Sequence, residues 1–213
     1  MSSEYQSCLL PNSSSDNSAP ENPPSTNPPS LNLHSHLSIS NVTACFELNP
    51  NETLDLGGLA DQLWNVTFSS QFPALDIKLS RPNVLAKISD SGKVNIVGAI
   101  DEDECRLAMD RVCRLLRKLN IPFDEATNFR VYQAMGSAKL GTTIDIEALQ
   151  ANNRHCCQWE YHRFRRVRYK IEELKVTVQI YNSGSLVFLG PNAESISEAA
   201  SIISPIIERH IPR

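Results

Sequence analysis

No apolar run in this chain approaches the ~20 residues that a membrane helix needs, and no basic, apolar leader opens it. Its bases do not outnumber its acids. Twenty Lys and Arg stand against 24 Asp and Glu, a formal charge of −4. That excludes a uniformly basic nucleic-acid coat but not a local patch. Six cysteines are present without framework spacing: Cys8, Cys45, Cys105 and Cys113 stand apart, while Cys156 and Cys157 are adjacent. They are expected to be reduced thiols in an intracellular protein. The sequons at Asn12, Asn41, Asn51 and Asn65 are then chance. No phosphate loop, Ser-His-Asp order or paired-carboxylate motif occurs, so neither an enzyme nor a cofactor is expected. His155, Cys156, Cys157 and His162 do not fit zinc-finger spacing, and adjacent strand residues face opposite ways, so no metal is expected.

What is present is uneven. At 213 residues the chain can bury a core without staples, as one domain or two. Residues 1–36 hold three acids and no base, and Ser, Pro and Asn fill 21 of the 36 positions. Such a stretch buries too little apolar surface to offset its ordering entropy, and a disordered tail is expected. Residues 37–126 hold nine bases and thirteen acids; residues 127–213 hold eleven and eight. The second half is therefore the electrostatic outlier.

An internal repeat organises the rest. SerGlyLys at 91–93, then ValAsnIleVal and Gly98, is echoed 92 residues on by SerGlySer, LeuValPheLeu and Gly190. The same offset carries Asn41 to Gln133, Phe72 to Phe164 and Leu79 to Ile171. LeuAspLeuGlyGlyLeu at 54–59 resembles IleAspIleGluAlaLeu at 144–149 at offset 90, so a two-residue indel intervenes. Two repeats, 37–126 and 127–213, follow.

Each repeat reads as a strand (39–46; 130–140), a short helix (54–63; 144–150), four short strands and a long helix. AspSerGly and AsnSerGly supply hairpin residues of positive φ. Asp101 or Asp103 can cap a helix over 102–118, with Leu107, Ala108, Val112, Leu115 and Leu119 inward; the acids at 101–104 suit its N-terminus. Asn192 can cap 193–208, with Ile196, Ala199, Ala200, Ile203, Ile206 and Ile207 inward and a bend at Pro205. Strand, helix, four strands, helix, twice over, predicts an α+β fold. One antiparallel sheet has helices on one face and an open face opposite.

These residues resemble the TATA-box-binding protein family. The likeness spans about 38–210. It rests on IleSerAsnVal near the start, PheProAlaLeuAspIleLysLeu at 72–79, SerGlyLysValAsnIleValGlyAla at 91–99 and ArgLeuLeuArgLysLeu at 114–119. ValGlnIleTyrAsnSerGlySerLeuValPheLeuGlyProAsn at 178–192 and AsnAsnArgHis at 152–155 are most similar to the TATA-binding-protein-like (related) factors. The resemblance implies a saddle: a curved ten-strand sheet of two pseudo-symmetric repeats, four helices on its convex face, and double-stranded DNA in its concave face. That family's kinking of the minor groove is well characterised.

Residue by residue, the implied DNA face is altered. Four phenylalanine wedges match Phe72, Ser89, Phe164 and Tyr181; Ser89 is too short and polar to fill an unstacked step. Phe72 and Phe164 can equally be loop core residues. Asn41 and Gln133 match the paired asparagines and can still donate to minor-groove acceptors. Lys78 and Lys170 match backbone-contacting arginines, Lys93 matches a family lysine, and Lys87 replaces an apolar residue. Asn95, Val97, Val187 and Leu189 occupy the floor, where two threonines are lost. From the residues alone, 163–170 places Phe164, Arg166, Arg168 and Lys170 on one strand face and suits a phosphate backbone. A solvated edge, or pairing with Glu172 and Glu173, is the other reading.

Partners follow the same pattern. Arg106, Arg111, Arg114 and Lys118 match the basic patch by which the family docks transcription factor IIA, although any surface helix carries such a row. The loop implied for transcription factor IIB keeps Glu160, gains His162, and replaces an apolar residue with Arg163, so that contact stays open. The expectation is a nuclear general initiation factor for RNA polymerase II with weakened or altered TATA specificity. The alternatives are an adaptor that sequesters transcription factor IIA without touching DNA, or a nucleic-acid enzyme with carboxylates clustered on the open face, where none is expected.

Overall fold

In the computed structural model, residues 31–50, 52–69, 71, 73–159 and 165–212 are described. Ten strands form one antiparallel sheet: β1 (Ser38–Glu47), β2 (Val66–Ser69), β3 (Ala74–Ser80), β4 (Asn83–Ser89), β5 (Lys93–Ala99), β6 (Thr127–Lys139), β7 (Cys157–Trp159), β8 (Arg166–Ile171), β9 (Val176–Tyr181) and β10 (Ser185–Gly190). Their spatial order is β2-β3-β4-β5-β1-β6-β10-β9-β8-β7. The order is a palindrome about the β1–β6 seam, as a duplicated module joined at its first strand requires.

Register confirms the duplication. Ala74 pairs with Ser89, and Arg166 with Tyr181; Asp76 pairs with Lys87, and Arg168 with Gln179. Phe46 faces Val94, and Ala138 faces Leu186. Every one of these pairs recurs 92 residues on. The short helices α1 (Leu56–Gln62) and α3 (Ile146–Asn152) are capped by Asp55 and Asp145, at the offset of 90. Gly92 and Gly184 close their hairpins at φ +83° and +78°, where a Cβ would strike Pro50 and the Thr142 carbonyl respectively.

Every second strand residue enters a core backed by the long helices α2 (Glu102–Lys118) and α4 (Ala193–Glu208). Phe46, Ile96, Leu116, Phe188 and Ile203 are fully buried there. Asp101 caps α2 by accepting from the Glu104 N–H at 2.7 Å, and Asn192 caps α4 by accepting from Ser195 at 2.8 Å.

Two expectations are corrected. Leu107 faces solvent at 45% exposure, while Cys105 and Leu116 turn inward with Ala108 and Val112, and Leu115 is half-buried. Counting at 100° per residue explains it: Leu107 lies about 100° from Ala108 and opposite Cys105 and Leu116. Residues 31–36 belong to the fold rather than to a tail. A 3-10 turn over Leu33–Ser35 buries Leu33 completely, and His34 bridges to Ser201 Oγ at 2.7 Å on α4. Helix α4 has the expected bounds and contains Pro205, with the buried Ser204 hydroxyl donating to the Ala200 carbonyl at 2.7 Å.

Candidate nucleic-acid interface

The sheet face away from the helices carries the other half of each strand. At its seam, β1 presents Asn41, Thr43, Cys45 and Glu47, and β6 presents Arg130, Gln133, Met135 and Ser137. Pairing skips Ser40 on β1 and Tyr132 on β6, one residue in each repeat at the offset of 92. These bulges re-aim the residues that follow them, Asn41 and Gln133. Asn41 Oδ1 accepts from the Gly98 N–H at 2.9 Å, so its amide nitrogen is left as the donor. Gln133 is exposed. Asn41 and Gln133 thus lie on adjacent strands of the open face, two residues apart in register across the seam.

The flanks differ. In the first repeat, Lys87 Nζ lies 3.1 Å from Asp76 Oδ1 and donates to Oδ2 at 3.2 Å. Lys87 is thus already ion-paired, and Asp76 places a carboxylate on the face from which acids were expected to be absent. Glu47 is a second, accepting from Asn128 at 2.7 Å. Three strand spacings, about 14 Å, separate β3 from β1, so Asp76 and Glu47 do not form a catalytic pair. Among the described residues no cluster of three metal-ligating side chains occurs. Ser89, at the wedge position, is spent in its turn: Oγ accepts from the Lys93 N–H and donates to the Lys93 carbonyl, both at 3.1 Å. Lys78 and Lys93 are exposed.

In the second repeat, β8 turns Arg166, Arg168 and Lys170 to the open face while Val167, Tyr169 and Ile171 enter the core. Arg166 Nη1 donates to Gln179 Oε1 at 2.6 Å and to the Tyr181 hydroxyl at 3.2 Å. The Tyr181 hydroxyl also donates to Gln179 Oε1 at 3.3 Å. Tyr181 is thereby held against its neighbours on the sheet.

Asp76, Arg130 and Gln179 were not singled out from sequence. The repeat itself carried the signal for two of them: Asp76 is the counterpart of Arg168, and Gln179 of Lys87. Arg130 needed the fold, because a strand from the other repeat brings it to Cys45, whose Sγ lies 3.3 Å from its Nε. Glu47, Lys93, Asn128, Arg130 and Cys45 line a hollow of about 350 Å³ there.

On the helix face, Arg111, Arg114 and Lys118 lie within about 60° of arc on α2, around the exposed Leu107. Arg106 does not join them. It pairs with Glu102 at 2.6 Å and stacks 4.3 Å over the Phe129 ring. Phe72, Glu160, His162 and Phe164 lie outside the described residues.

Comparison with known proteins agrees with this geometry. The family model described as transcription factor TFIID (or TATA-binding protein, TBP) matches residues 36–119 and 128–210, the two repeats. The chain is 27% identical over 169 residues to a zebrafish (Danio rerio) TATA box-binding protein-like 1, covering 79% of this chain and 89% of that one. It is 30% identical over 175 residues to TATA-box-binding protein 2 of Haloferax volcanii, covering 81% and 92%. The structure of Methanococcus jannaschii TBP superposes with a TM-score of 0.69 at 27% identity, over 82% of this chain and 99% of that one.

Proposed function

The chain belongs to the TATA-binding-protein family of DNA-binding transcription factors, and on that premise we propose that it is a TATA-binding-protein-like general initiation factor for RNA polymerase II. It acts in the nucleus. It grips duplex DNA from the minor-groove side with its concave sheet, more firmly through the second repeat than the first. Its preference for TATA is weakened or altered.

One observation carries this reading: Arg166, Arg168 and Lys170 all face the side of the sheet that the helices leave free. Phosphates reward such a row, and each neutralised phosphate releases a counterion. The first repeat opposes it. Its equivalent floor holds Asp76, and its wedge position holds a serine bound into a turn. A·T-rich steps therefore lose much of the apolar complementarity that kinking needs. On the helix face, Leu107 followed by Arg111, Arg114 and Lys118 makes a basic row with an apolar residue at its N-terminal end, a surface that suits docking of transcription factor IIA.

A salt titration of the full chain on TATA and TATA-less duplexes tests this. Expected is a log–log slope of about −2 to −4, as for a few phosphate contacts, with similar affinity for both duplexes. A flat slope refutes DNA contact. The second reading, an adaptor that sequesters transcription factor IIA without touching DNA, is favoured by the first-repeat floor. It predicts that Lys170→Glu together with Arg168→Glu leaves promoter activity unchanged; the initiation-factor reading predicts that activity falls.

A further inference from the structure

We propose that Gln179 reads the minor groove as a pure hydrogen-bond donor, so that the second repeat discriminates against guanine at one base pair. This rests on the duplex-binding reading above.

Gln179 lies mid-strand on β9, half-buried, between Thr177 and Tyr181 on the open face. A free carboxamide both donates and accepts, and so cannot tell an acceptor from a donor. Here that ambiguity is removed. Oε1 receives two donors, Arg166 Nη1 at 2.6 Å and the Tyr181 hydroxyl at 3.3 Å. Arginine only donates, so the atom facing it must be the oxygen, and a flip would set the amide N–H groups against the guanidinium. Its Nε2 is left with two hydrogens, and no described residue accepts from them.

The minor groove offers acceptors at adenine N3 and thymine O2, whereas G·C adds the guanine 2-amino donor. A donor-only reader bonds the first and meets the second hydrogen to hydrogen. One of the two donors is then desolvated without a partner, an unfavourable outcome. The counterpart in the first repeat is Lys87, already bound by Asp76. Discrimination should therefore be confined to one side of the site, giving a symmetric fold an oriented footprint.

The test uses the full chain and a set of duplexes in which each base pair in turn is A·T, G·C or inosine·cytosine. Inosine keeps guanine's other edges but lacks the 2-amino group. Expected is one position, under the second repeat, where G·C weakens binding about tenfold and inosine·cytosine restores it. Gln179→Glu keeps an acceptor for Arg166 and Tyr181 but has no N–H. Gln179→Met keeps the length without either group. Both variants should bring that ratio close to one, whatever they do to overall affinity. Equal binding of G·C and inosine·cytosine at every position, or a ratio unchanged in both variants, overturns the proposal while leaving duplex binding intact. Failure to bind any duplex overturns the duplex-binding reading together with this one.

Discussion

Burial acts on single side chains here in a way that can be titrated. The Cys105 thiol is pushed up to about 11 by burial first, with Asp101, Glu102 and Glu104 adding to it. Burial pushes Cys157 up to about 12, with Cys156 nearby adding to it. Both thiols ionise later in the folded chain than in the unfolded one, whose value is near 9. Below pH 8 both states are neutral and nothing is lost. As pH rises past 9 the unfolded chain ionises first, and stability falls until the folded values are passed. Denaturant midpoints should be level from pH 7 to 8 and decline toward pH 10.5, less steeply in a Cys105→Ala, Cys157→Ala double variant. A midpoint level to pH 10.5 would contradict the burial assigned to these thiols. The equivalent places of Asn41 and Gln133, each just after a bulge, were legible at this scale because the repeat offset is a property of the chain. The engagement of Ser89 with Lys93 was not, since a serine's choice between turn and ligand depends on where the hairpin closes.

Helix α2 shows how an element can be recognised correctly and oriented wrongly. Its boundaries and its Asp101 cap were readable, because capping and the acid-to-base gradient are local. Its inward stripe was not, because leucines occupy more than one side and only contact with the sheet selects among them. Leu116→Ala should cost about 2–5 kcal/mol, the range for emptying a buried leucine site, whereas Leu107→Ala should change stability by less than about 0.5 kcal/mol. Chemical denaturation of both variants distinguishes the two faces. The edge of the tail moved for a related reason. Leu33 has little company in its own segment and acquires its burial from α4. Composition over a window cannot see a partner about 170 residues away.

Across the whole molecule, two halves of one fold present different chemistry to the same face. The cross-strand pair that is Asp76–Lys87 in the first repeat is Arg168–Gln179 in the second. Removing the carboxylate alone should expose this: Asp76→Asn frees Lys87, and duplex binding should strengthen, with a salt slope steeper by about 1. No change in slope would mean that Lys87 does not reach a phosphate. The net charge of −4 thus conceals a division. Strand periodicity, turn chemistry, caps and the 92-residue repeat are short-range or translational patterns. They were enough to establish an α+β sheet of two modules and the shared face of Arg166, Arg168 and Lys170. Which open-face groups are already spent on one another was decided by tertiary structure. Asp76 on Lys87 and Arg166 on Gln179 depend on strand register, and Cys45 against Arg130 depends on the seam between repeats. Those put residues 11 to 85 positions apart within hydrogen-bonding reach.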